Sequence, residues 1–251
     1  MKSDSNEDRY IYFKNGADRD FYINSMKNYV ETKQEIDKIL DKIITPILKN
    51  SKVTVLDACC GIGHVSHNLA SMFPHVKFFG IDQTDYLINV AKDLCKEQKN
   101  ISFKNVDLYD FSNDNLKSYD VSINWKTLSW LPSYRSCMKS LFNVTRKHIF
   151  LSSLFYDGEI DFEIKVREYK KEGGKDGFNE YRNIYSYPIF EKFLYDLGAK
   201  KVTSYDFEIT KDLPRMNKDV MRTYTVKLEN QKRLQVSGAI MMPWKIIQID
   251  L

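Results

Sequence analysis

The stretch VTVLDACCGIGHVSHNLA, Val53 to Ala70, decides the fold. VTVLD is a short β-branched run ending in an acid, and the turn after it carries Gly61 and Gly63. HVSHNLASMF then places apolar residues at helical spacing until Pro74. Strand, glycine turn and helix in that order open a nucleotide-binding unit. In a full G-x-G-x-x-G fingerprint a third glycine permits tight helix–strand packing beneath a pyrophosphate. That position is Ser66.

Outward from this stretch the pattern repeats. VKFFGID is a second apolar run, DYLINVAKDLC an amphipathic helix, ISFKNVD a third strand and YDVSIN a fourth. Pro132 to Val144 reads as helix and HIFLSSLF as a fifth strand. Strands alternating with helices imply parallel pairing through right-handed crossovers, hence a Rossmann-like, doubly wound α/β sheet. Before it, Phe21 to Leu48 has helical periodicity and forms an N-terminal cap, with Pro46 limiting the last turn. After it, two alternating runs flank Gly173, Gly174 and Gly177, a hairpin signal. Pro188 to Leu197 reads as helix with Gly198 as its stop. Lys200–Thr210 and Met221–Glu229 follow without a helix between them and are expected to pair antiparallel. The tail KIIQIDL either adds a strand to this sheet or pairs with another subunit as a homodimer. The chain divides into a cap (1–50), a core (53–155), a hairpin insert (156–187) and C-terminal strands (188–251), all one domain.

The 251 residues are 43% hydrophobic, enough for one substantial core. Thirty-eight basic against 34 acidic side chains leave +4, spread along the chain, so nucleic acid is not an expected partner. The four cysteines show no C-x-x-C spacing and read as reduced thiols. No apolar run approaches the roughly 20 residues of a membrane span. A soluble, cytoplasmic protein is expected.

Three acids fall at strand ends, where ligands of such sheets sit: Asp57, Asp82 and Asp107. Asp82 is placed to accept from a ribose diol, and Asp107 with Leu108 to hold an adenine edge. A cofactor with adenosine but no phosphate does not need the missing glycine. S-adenosylmethionine is one: its carboxylate can face helix N-terminal amides and Asp57 its ammonium.

On these residues the chain resembles the class I S-adenosylmethionine-dependent methyltransferases. VLDACCGIG is similar to the family's first motif, with Cys59 where a glycine is usual. GIDQTDYLINVAK resembles the second motif, NVDLYDF the third, and YDVSINWKTLSWLP the fourth strand and its loop. The resemblance implies a seven-stranded sheet with an antiparallel last strand. It implies cofactor contacts from Asp57, Ala58, Cys59, Gly61, Gly63, Asp82, Gln83, Asp107, Leu108 and Asn124.

On the substrate side the loop Asn124–Pro132 lacks the Asn/Asp-Pro-Pro-aromatic motif of amide and base methylation. A small-molecule acceptor, methylated on oxygen, is expected. Trp125, Trp130 and Tyr134 either wall its pocket or pack the cap on the sheet. His64, at a helix start, is either a neutral general base or a lining residue. Tyr181 is the second candidate catalytic group. Arg167, Arg182 and Tyr185 of the insert favour an anionic or sugar-like acceptor, the alternative for either arginine being a solvated strand face. A weaker resemblance, to methyltransferases of bacterial surface-polysaccharide and capsule pathways, points to a sugar nucleotide or capsule phosphoramidate precursor. No residue cluster has metal-ligand spacing, and no metal is expected. A non-catalytic cofactor-binding subunit and an aminopropyl transferase remain alternatives.

Overall fold

The computed structural model describes residues 19–31, 34–49, 52–168, 178–215 and 223–251. Two helices come first, α1 (Arg19–Glu31) and α2 (Glu35–Leu48). α2 brings Ile36, Leu40, Ile44 and Leu48 to one face, at the spacing of four that stacks side chains along a helix, and all four are buried. They pack against Val55, Leu69, Phe73 and Phe78, which fixes the cap to one face of the sheet. Pro46 lies inside α2 and the helix continues to Leu48.

The core alternates strand and helix: β1 (Thr54–Ala58), α3 (His64–Met72), β2 (Lys77–Asp82), α4 (Asp85–Leu94), β3 (Ile101–Asn105), α5 (Leu108–Asp114) and β4 (Tyr119–Trp125). A short turn of 3-10 helix at Leu128–Trp130 leads into α6 (Tyr134–Val144) and β5 (Thr145–Tyr156). β1 pairs in parallel with β2 and β4, β2 with β3, and β4 with β5. Helices cover both faces, so the central strands carry apolar residues on both sides; β4 is buried from Asp120 to Trp125. α5, begun by the Asp107 side chain accepting from the Tyr109 N–H, was not expected from the sequence.

The second half contains β6 (Lys165–Glu168), β7 (Phe178–Tyr181), β8 (Tyr185–Ser186), α7 (Tyr187–Asp196) and β9 (Lys201–Asp206). Then come β10 (Thr223–Lys227), β11 (Arg233–Ser237), β12 (Ile240–Met241) and β13 (Trp244–Asp250). β6 and β7 pair antiparallel, with Lys165 opposite Tyr181. The glycines expected to turn this hairpin lie outside the described residues. The main sheet runs β3-β2-β1-β4-β5-β13-β9, and β8 pairs with the end of β5.

One expected pairing is corrected. β9 pairs with β13, not with the strand after Met221; β10 joins β11 and β12 in a separate antiparallel sheet. The physical reason is burial. A strand held between two others in a covered sheet needs both faces apolar, and Ile246, Ile247 and Ile249 of β13 are fully buried. β10 leaves Val226 42% exposed. The tail therefore adds a strand to this chain's own sheet, antiparallel to both neighbours.

Candidate functional site

The carboxyl ends of β1, β2 and β4 meet at the glycine turn. Cys59 stands there at φ 60, a left-handed conformation that favours glycine, the residue the resembling family has at this position. The Cys60 N–H donates to the Ile81 carbonyl and the Gly61 N–H to Asp82 Oδ2 at 3.0 Å, tying the turn to β2. Gly61, at φ 55, has no heavy atom within 4 Å of where a Cβ would be, so the turn is open on that side. Gly63 caps α3, and a Cβ there would come 2.7 Å from the Phe103 ring.

Ser66, at the missing glycine's position, donates its hydroxyl to Asp57 Oδ2 at 2.5 Å. Both are buried, and burial pushes the Asp57 carboxyl up to about 7. The serine thus has a structural task of its own, holding the carboxylate at the end of β1. Burial also raises Asp82, opposed by its bonds from the Thr84 and Gly61 amides. Asn124 donates to the Ala58 carbonyl at 3.1 Å, while its Oδ1 is buried with no partner among the described residues.

A cavity of about 520 Å³ opens beside this turn, within the size range of small-molecule sites. Its wall on one side is Asp57, Cys59, Cys60, His64 and Val65; on the other it is the cap, with Ser25 and Tyr29 of α1 and Gln34 and Asp37 at the start of α2. Trp125 and Lys126 close it from the end of β4. His64 Nε2 lies 3.1 Å from Ser25 Oγ, and its ring is 5.0 Å from that of Tyr29. Burial, then the nearby Lys126 ammonium, lowers the His64 imidazole to about 4, so it is neutral at pH 7. Tyr29 is pushed up by burial and by Asp37.

Of the residues singled out from sequence, the cavity brings together Asp57, Cys59, His64 and Trp125. Asp82, with Gln83 half-buried beside it, joins through the Gly61 amide. Asp107 caps α5 and Leu108 packs into the main core. The Trp125 indole N–H donates to Asp37 Oδ1 at 2.6 Å, pinning cap to sheet, and the residue also lines the cavity.

Several expected acceptor residues lie elsewhere. Tyr134 and Tyr185 are buried ring against ring, 4.9 Å apart, and the Tyr185 hydroxyl reaches the Leu128 and Leu131 carbonyls. They brace the loop after β4 rather than wall the cavity. Arg182 is buried, paired through Nη2 with Glu180 at 2.6 Å and stacked 4.0 Å from the Trp130 ring, so its charge is matched, while its Nε and Nη1 have no hydrogen-bond partner among the described residues. Tyr181 sits on β7 with the Lys165 ammonium 5.5 Å from its ring, outside the cavity lining. Arg167 is on β6, and its side chain lies outside the described residues. Sequence reasoning missed Tyr29, Asp37 and Lys126. Lys126 directly follows Trp125, but nothing in the pattern of α1 or α2 marks the other two. Among the described residues no cluster of three or more His, Cys, Asp or Glu side chains could hold a metal ion. No helix among them is long and apolar enough to cross a membrane.

A family profile described as a methyltransferase domain matches residues 49–192. Malonyl-[acyl-carrier protein] O-methyltransferase of Bacillus anthracis is 31% identical over 94 residues, 38% of this chain and 34% of that protein. The chain thus matches about a third of that curated relative's length. A crystal structure of an S-adenosylmethionine-dependent methyltransferase from Methanosarcina mazei superposes with a TM-score of 0.55 at 16% identity, covering 82% of this chain and 96% of the other. Magnesium protoporphyrin IX methyltransferase of Synechocystis, solved with bound S-adenosylhomocysteine, gives 0.53 at 13%, covering 95% and 90%. At such identities the two structures speak for the fold, and the profile spans more than half of the chain. The chain belongs to the methyltransferase-domain family.

Proposed function

We propose that this protein transfers the methyl group of S-adenosylmethionine to an oxygen of a small, hydroxyl-rich acceptor such as the sugar of a sugar nucleotide or of a capsule phosphoramidate precursor. The observation that carries the reading is the glycine turn, open at Gly61, with Asp57 and Asp82 at the adjoining strand ends and a cavity of about 520 Å³ beside it. The donor set suits the cofactor. Asp82, although it accepts from two amides, keeps acceptor capacity for ribose hydroxyls, since a carboxylate offers about four lone-pair sites. The unpartnered Asn124 Oδ1 and the Asp57 carboxyl are acceptors for an ammonium. Asp107 and Leu108 are assigned to the adenine end.

When bound, the cofactor supplies a methyl group already activated on a sulfonium. The protein's part is to position the acceptor and exclude water. α1 and the start of α2 supply one wall of the cavity beside the turn, which restricts the water that reaches it. His64, neutral at pH 7, faces the same cavity and is assigned as a base or as a hydrogen-bonding wall, and Lys126 and Asp37 as the polar wall opposite. Oxygen as the accepting atom agrees with the O-methylating relative and with the absence of the Asn/Asp-Pro-Pro-aromatic motif.

The test is calorimetry followed by turnover. S-adenosylmethionine and S-adenosylhomocysteine are expected to bind, and nucleotide-linked or phosphorylated sugars to convert one into the other. Binding without turnover across that panel means a non-catalytic subunit, and preference for the decarboxylated cofactor means aminopropyl transfer. Asp82→Ala is expected to weaken S-adenosylhomocysteine by roughly 1–3 kcal/mol, leaving the fold intact. Unchanged affinity removes Asp82 from the ribose site.

A further inference from the structure

The cap side of the cavity holds an ion pair that the cofactor assignment does not use. Lys126 Nζ lies 2.7 Å from Asp37 Oδ1 and donates to Gln34 Oε1 at 2.8 Å. Asp37 Oδ1 also accepts the Trp125 indole N–H. Lys126 is held at φ 60, a left-handed conformation a lysine rarely takes. Two groups are left over. Asp37 is 1% exposed, yet its Oδ2 has no hydrogen-bond partner among the described residues. An ammonium carries three N–H donors, and the two contacts of Lys126 use two of them. A buried carboxylate oxygen left unpaired is costly unless something occupies it, and both residues line the cavity.

We propose that Asp37 and Lys126 form the acceptor-binding site and that they select an uncharged hydroxyl. The acceptor's O–H donates to Asp37 Oδ2, and the same oxygen accepts the remaining N–H of Lys126. A neutral alcohol satisfies both with one atom. The pair carries no net charge, so a carboxylate or phosphate at this point is repelled by Asp37 as much as it is drawn by Lys126, and an ammonium meets the reverse. The anionic preference expected from the insert's arginines does not apply to the reacting end, since Arg182 is matched by Glu180 in the same way. The aromatic rings of Tyr29, His64 and Trp125 flank the site and suit the apolar face of a ring. The proposal rests on the methyltransferase reading of this cavity.

Ligand-observed NMR on the protein saturated with S-adenosylhomocysteine tests it, with benzyl alcohol, benzoate and benzylamine as probes of one size and three charges. The wild type is expected to bind benzyl alcohol at least tenfold better than either ion. Asp37→Asn turns the open acceptor into a donor and leaves Lys126 unmatched, so preference should pass to benzoate. Lys126→Met leaves the carboxylate unmatched, so it should pass to benzylamine. Near-ultraviolet circular dichroism checks that each variant is folded, and one folded variant suffices. A charged probe preferred by the wild type overturns the proposal, as does an order that the variants leave unchanged. A loss of S-adenosylhomocysteine affinity above tenfold in both variants also overturns it, assigning the pair to the cofactor half. Failure of the wild type to bind S-adenosylhomocysteine at all instead sinks the methyltransferase reading.

Discussion

Asp57 and Asp120 sit at opposite ends of the same part of the sheet and are treated oppositely. Asp120, where β4 begins, accepts from the Thr54 amide at 3.1 Å and from Arg146 Nε at 3.2 Å, with Lys147 Nζ also 3.2 Å away. These cations and hydrogen bonds outweigh burial and hold its carboxyl well below the usual range. Asp57, where β1 ends, has the Ser66 hydroxyl and, among the described residues, no cation; burial carries it up to about 7. One carboxylate is fully matched by its own chain. The other has no cation beside it among the described residues, and perturbed groups of this kind tend to mark a site.

The largest test of this contrast is Asp57→Ala. It should raise the dissociation constant of S-adenosylhomocysteine about a hundredfold, roughly 3 kcal/mol, by calorimetry. The ligand-free variant should melt no lower than wild type, since it sheds a poorly solvated acid. Its pH signature follows from linkage. Asp57 is neutral in both states below about pH 4, the unfolded value. Between about 4 and 7 the unfolded chain ionises while the folded one stays protonated, so this group lowers ligand-free stability across that window and adds no further loss above it. Asp57→Asn should flatten the decline in thermal melts from pH 4 to 7. A decline of the same slope in the variant would break the contrast.

Asp120→Ala should do the reverse, lowering stability by about 2 kcal/mol in urea unfolding at pH 7 while leaving S-adenosylhomocysteine affinity unchanged. With a depressed folded-state value, Asp120 contributes stability above about pH 4 that is lost as pH falls further. Variant and wild type should therefore converge in acid. A weakened cofactor product would show that this end of the sheet is not purely structural. The smallest effect belongs to the turn itself. Cys59→Gly should stabilise by about 0.5–1 kcal/mol by relieving the left-handed φ, read as a melting point about 1–4 °C higher.

The sequence made the sheet's parallel half legible because fully covered strands are almost continuous apolar runs, as in VTVLD and DVSIN. It made the turn legible through two glycines and an acid. Partner choice was not legible. TYTVK and KVTSYD both alternate, and alternation identifies a strand without saying what lies beside it. The consecutive isoleucines of WKIIQID were the available sign that β13, not β10, is enclosed on both sides. α5 escaped because LYDFSND is only seven residues long and has no sustained period. The cap's share of the site was out of reach for a different reason. Asp37 and Trp125 meet across 88 residues, and a lone acid on an amphipathic helix gives no sign of its partner.

β13 lies between β5 and β9, although both of those strands precede it in the chain. While the chain is still being made, β5 and β9 have no ladder between them until the ribosome has released Trp244 to Asp250. Until then β5 and β9 each present an open backbone edge, the kind of surface on which chains misassociate.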